Sequence, residues 1–112
     1  MEAEQEAYKK IMILYNVTIS VDSSIEREWL EWMKDVHIPE VMETGLFVEN
    51  KILKLKEPAA EEGSSTFAIQ YFLKNEEDYK NYNDNFAGEL RQKHKDKFGE
   101  KFMAFRTVLE EV

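Results

Sequence analysis

WLEWMKDVHIPEVMETGLF, residues Trp29 to Phe47, holds both tryptophans of the chain, one of its two histidines, one of two prolines and one of four glycines. Trp29, Trp32, Met33 and Val36 recur at i, i+3, i+4 and i+7, the stripe of an amphipathic helix. Pro39 lacks an N–H and disfavours helical geometry in the residue before it, so the helix is expected to end or kink at His37-Ile38. A short second turn from Pro39 to Glu43 follows, stopped by Gly45. An aromatic anchor, a histidine-bearing bend and a glycine turn into a strand are thus brought close together.

Upstream of this stretch, Ile11 to Val21 (IMILYNVTISV) is β-branched and apolar, a first strand. Asp22-Ser23-Ser24 ends it, and Ser23 with Glu26 has capping-box spacing for the helix. Residues 1–11 read as a polar leader or extension, leaving one domain over 12–112. Downstream, Leu46 to Lys56 returns to strand character, and Glu57 to Ser65 (EPAAEEGSS) reads as a hairpin loop. Thr66 to Lys74 is the third strand. Asn75 caps a second helix whose first turn is acidic and whose buried stripe is Tyr79, Tyr82, Phe86 and Leu90. Gly88 lies within that helix, and Gly99 ends it. Lys101 to Leu109 is the fourth strand.

The order β-α-β-β-α-β, with right-handed crossovers, predicts an α+β ferredoxin-like sandwich. Its antiparallel sheet has strand order 4-1-3-2 with both helices on one face. Alternation assigns Ile13, Tyr15, Val17 and Ile19 to the helix side, with Phe67, Ile69, Tyr71 and Leu73. On the fourth strand Met103, Phe105, Thr107 and Leu109 are expected inward, which leaves Phe102, Ala104, Arg106 and Val108 on the free face. That free face, with Leu14, Ala68 and Phe72, is too apolar to stay wet, and a second copy of the sheet is its expected cover.

Composition narrows the function. The chain of 112 residues carries 15 Lys+Arg against 23 Asp+Glu, a net charge of −8 that disfavours nucleic acid. Hydrophobic residues make up 43%, enough for a core. The absence of cysteine removes disulfides and thiolate metal sites, in keeping with a cytoplasmic protein. No apolar run is long enough for a bilayer or a signal peptide, so no membrane partner is expected. Glu61-Glu62 has no third ligand, so no metal is expected.

Trp29, Trp32, Met33, His37, Ile38 and Pro39, then Thr44, Gly45 and Phe47, and late Phe105-Arg106-Thr107 together resemble a small bacterial family. That family is described as a domain of unknown function within the dimeric α+β barrel, antibiotic-biosynthesis-monooxygenase-like superfamily. The resemblance spans residues 12–112 and implies the fold and a homodimer. Superfamily members include monooxygenases, haem-degrading enzymes, lactone isomerases and ligand-binding proteins, so it fixes no chemistry. The haem-degrading members pair an Asn on the first strand with a Trp and a His on the second helix. Asn16 matches the first, Tyr82 stands nearest the Trp, and His94 falls about two residues late, which argues against haem. No cofactor is expected.

His37, beside the bend, is the candidate catalytic group, since imidazole titrates near neutral pH. Bonding to the last helix carbonyls is its structural alternative. Trp29 and Trp32 are read as core anchors and His94 as exposed. Asn16, Gln70 and Arg106, one polar residue near the middle of three strands, are expected to converge on the free face beside Phe72 and bind a carbonyl or carboxylate. The resulting expectation is a homodimer binding a small, largely apolar molecule between the sheets, with or without cofactor-independent chemistry. The alternatives are a non-catalytic homodimer whose inner face is only an interface and, on charge the weakest, an RNA-binding module.

Overall fold

The computed structural model describes residues 12–112; the expected leader, 1–11, lies outside the described residues. Strands β1 (Ile13–Asp22), β2 (Glu49–Lys54), β3 (Ser64–Leu73) and β4 (Phe102–Glu110) form one antiparallel sheet in the order β2-β3-β1-β4. This is the 4-1-3-2 order expected of a split βαβ sandwich. After a 3₁₀ turn (Ser23–Ile25), the first helical layer runs through α1 (Glu26–Trp32), a π-helical segment (Met33–His37) and α2 (Ile38–Met42). The second comprises α3 (Glu76–Asn85) and α4 (Ala87–Phe98). Among the described residues no helix is long and apolar enough to cross a membrane.

The first helical layer does not stop at His37-Ile38. It widens there: the Ile38 N–H bonds the carbonyl of Met33, five residues back, and the chain continues through Pro39. A wider turn moves the carbonyl that the proline ring would strike, and the missing N–H then leaves no narrow-turn bond broken. The buried stripe changes with it. Trp29, Met33, His37 and Val41 are buried, while Val36, expected inward, is exposed. In an α-helix, three steps of four residues would drift by about 120° at 3.6 residues per turn, and the π segment takes up that drift.

The cap that starts this layer also differs. Asp22, not Ser23, accepts from the Ser24 N–H at 2.9 Å, and Glu26 instead accepts from Ser65 and Lys54. In the second layer Asn75 caps as expected, accepting from the Asp78 N–H at 2.8 Å. The single helix expected there is broken at Phe86, whose φ of −127° leaves helical geometry. Phe86 is exposed as a consequence, while Ala87 and Leu90 turn into the core. Gly99, with φ +60° and ψ −127°, ends α4 by donating to the Lys95 carbonyl, and few L-residues could take its place.

The core fills the space between helices and sheet. Tyr15 sits in an aromatic cluster with Phe47, Tyr71, Tyr79 and Tyr82 at ring separations of 5.2–6.3 Å. Trp29 is wholly buried against Phe67. The register corrects one strand: β4 pairs Val17 with Arg106, Ile19 with Ala104 and Val21 with Phe102. Because the β1 partners face the helices, Phe102, Ala104 and Arg106 do too. Met103 and Phe105 lie outward, 77% and 66% exposed. The two alternate sets of β4 are comparably apolar, so alternation carries no phase. The phase is set at the turn, where the Asp22 N–H bonds the Lys101 carbonyl at 2.9 Å.

Candidate functional site

The first and second helical layers each send one histidine into the same space. His37 enters from the π segment and is 8% exposed. His94 enters from α4 and is 3% exposed, which corrects its reading as a surface residue. The spacing Leu90, His94, Phe98 would have found it, because all three sit on one stripe at intervals of four. The rings are 5.2 Å apart, with Trp32 stacked on His37 at 5.0 Å and Phe102 parallel to His94 at 3.8 Å.

Trp29 Nε1–H donates to His94 Nε2 at 2.9 Å. An indole can only donate, so that nitrogen carries the lone pair, and neutral His94 holds its proton on Nδ1. Trp29 is therefore both a core anchor, as read from sequence, and the group that fixes a tautomer. Burial pushes the pKa of His37 down to about 4, with Glu40 opposing and Arg106 and Lys93 reinforcing the shift. Burial pushes that of His94 down to about 3, helped by His37 and Arg106. Both rings are neutral at physiological pH.

Two arginines complete the wall. Arg91 reaches in from α4 and donates from Nη2 to Tyr15 Oη at 3.0 Å. Arg106 reaches in from β4. With His37, His94, Tyr15 and Tyr82 they line a small, partly open cavity of about 20 Å³ between helices and sheet, room for about one water. The same two arginines also line an open groove of about 570 Å³ outside it, with Lys95, Phe102 and Ala104. Among the described residues, the buried side-chain nitrogens and oxygens left without a partner are His37 Nδ1, Arg91 Nε and Arg106 Nε. All three belong to residues lining this one cavity. No carboxylate lines it.

The residues singled out from sequence therefore divide into two groups. His37 and Arg106 share the inner cavity. Asn16 and Gln70 are register partners on the opposite, helix-free face, and Phe72 lies there opposite Leu14. Arg106 does not join them, because its partner on β1 is Val17 and Asn16 faces Thr107. Asn16 instead donates from Nδ2 to Thr18 Oγ1 at 3.1 Å, and the Lys51 ammonium stands 5.9 Å from the Phe72 ring centre. The trio expected on the free face is not assembled within the chain. Among the described residues no group of three His, Asp or Glu is placed to hold a metal ion.

A four-stranded antiparallel sheet in the order β2-β3-β1-β4, with its helices on one face, defines a ferredoxin-like α+β domain. The chain belongs to the family described as a domain of unknown function (DUF4286), whose pattern matches residues 12–112. No curated protein matches it. Solved structures do, in fold. An EthD family protein from Bacillus halodurans superposes with a TM-score of 0.67 at 14% identity, over 89% of this chain and 99% of that one. A Streptomyces coelicolor monooxygenase in complex with nanaomycin D gives 0.59 at 13%, over 92% and 91%. A dimeric ferredoxin-like protein from an uncultured marine organism gives 0.53 at 14%, over 94% and 93%. Family and fold together make this a domain of unknown function with a ferredoxin-like α+β fold.

Proposed function

We propose that the protein is a cytoplasmic homodimer, joined through its helix-free sheet face, that binds a small and largely apolar molecule beneath its helices. The site is moved from the space between the sheets to the cavity and groove walled by Arg91 and Arg106. The observation that carries this reading is the convergence of three unpartnered buried nitrogens on one cavity. Unsatisfied buried donors each cost about 1–3 kcal/mol, and they cluster where a ligand or ordered water completes them. His37 offers a neutral nitrogen there, so hydrogen bonding and proton transfer at that atom are the chemistry the site permits. Phe72, Asn16 and Gln70 belong to the dimer interface in this reading. The marine ferredoxin-like protein is itself dimeric, which supports self-association.

Arg106→Met tests it, because the substitution keeps length and apolar bulk while removing charge and donors. Wild type screened against a fragment library by thermal shift should give hits that the variant, still folded and dimeric, loses. The cavity volume of about 20 Å³ favours a second reading, in which one buried water bridges the three nitrogens and the fold serves only dimerisation. Under that reading Arg106→Met loses stability and the wild type gives no hit.

A further inference from the structure

Resting on that pocket reading, we propose the class of ligand: a singly charged carboxylate on a flat apolar body. Its head engages Arg91 and Arg106 and its body lies along the groove.

The charge inside the wall is unbalanced. Arg91 and Arg106 contribute two guanidinium groups, and among the described residues neither forms an ion pair. A carboxylate is the natural counter-charge, since its two oxygens match the fork of a guanidinium. His37 and His94 stay neutral and leave the two guanidiniums as the cavity's only cations. Glu100 borders the outer groove with Lys95 and does not line the cavity.

Space separates the head from the body. The cavity has room for about one water, so only a compact planar head can reach into it, and a tetrahedral phosphate is disfavoured. The remainder must lie in the groove, which presents the Phe102 ring and Ala104 beside the two arginines. Phe102 is itself held flat against His94, with the planes 3° apart. It offers a fixed apolar surface for a planar body.

The Trp29 indole N–H, bonded to His94 at the cavity wall, is a built-in reporter. The experiment titrates the full chain with benzoate, benzamide and inorganic phosphate, following indole N–H signals by NMR and affinity by calorimetry. Benzamide keeps the shape of benzoate without its charge. Benzoate should shift the Trp29 signal saturably and bind about tenfold or more tighter than benzamide, the usual scale for a charge-assisted hydrogen bond. Phosphate should not compete. Arg91→Met and Arg106→Met should each erase the preference for benzoate, and Arg106→Lys should restore part of it. If benzamide binds as tightly as benzoate at this site, the carboxylate inference is overturned while the pocket reading stands. If no probe, charged or neutral, moves the Trp29 signal at millimolar concentration, both are overturned. The comparison of benzoate with benzamide on wild type decides the matter even if a variant fails to fold.

Discussion

Acidification from about pH 7.5 to about pH 5 should remove about 4 kcal/mol of folding stability through two residues. His37 and His94 have pKa values held near 4 and near 3 by burial, against 6.5 for an exposed imidazole. A base whose folded pKa is depressed takes up its proton more readily when unfolded. Its contribution is therefore complete above 6.5 and declines as the pH falls towards the folded value. At about pH 5 an unfolded ring is almost fully protonated and both folded rings are almost fully neutral. The gap of about 1.5 pH units, at 1.36 kcal/mol per unit, gives about 2 kcal/mol for each ring. That is a large share of the 5–15 kcal/mol typical of a domain. Asp22 and Glu26 act in a different window, since their lowered pKa values matter only below their ordinary 3.8 and 4.5. Urea unfolding followed by tryptophan fluorescence should show stability falling with a slope that approaches two protons per molecule. NMR of the ring nitrogens should show neither histidine titrating near 6.5. Stability unchanged across this range, or an imidazole midpoint near 6.5 in the folded protein, would refute the reasoning.

Five further outcomes are expected. Trp29→Phe keeps most of the ring but strands the His94 lone pair, and should cost about 1–3 kcal/mol in urea unfolding; Trp29→Ala should cost about 3–5 kcal/mol. Phe105→Glu places a charge on the exposed apolar face and should convert the proposed dimer to a monomer by light scattering, since an unpaired charge in an apolar interface is heavily penalised; a persisting dimer would put the interface elsewhere. Gly88→Ala, with open space around it inside a helix, should raise the melting midpoint by the equivalent of up to about 1 kcal/mol. Gly99→Ala should lower it by about 1–3 kcal/mol because of its backbone geometry alone.

The strand order was legible because it rests on local signals: apolar runs, a Pro-Gly-Ser loop, the Asn75 cap and the Gly45 and Gly99 stops. Faces were legible on β1 and β3, where Tyr15, Val17, Ile69 and Tyr71 stand against Asn16, Thr18 and Gln70. They were not legible on β4, where Phe102 and Ala104 compete with Met103 and Phe105 and nothing polar breaks the tie. Arg106 points the reading the wrong way, because a long cationic side chain is ordinarily expected on the wet side. His37 was identified from Pro39, though for a bend and not for the wide turn that the same proline favours. Arg91 carried no local signal at all, because only the tertiary fold sets α4 beside β4.

The site exists through the π segment and the phase of β4. A regular α-helix through Met33–His37 would have kept Val36 on the buried stripe, and the opposite phase of β4 would have sent Met103 and Phe105 beneath the helices. Either change would have replaced nitrogen-bearing groups with apolar bulk and closed an ordinary core. The π segment instead turns His37 inward, and the register set at Gly99 and Lys101 turns Arg106 inward. Both then meet Arg91 and His94 from α4. Sequence-to-structure rules hold across most of this chain, and two of their failures meet at this site. Such failures concentrate where stability is given up for chemistry. A core selected for packing alone would gain by placing valine and phenylalanine here; the half-buried guanidiniums of Arg91 and Arg106 and the two neutral imidazoles are the groups that the proposed ligand completes.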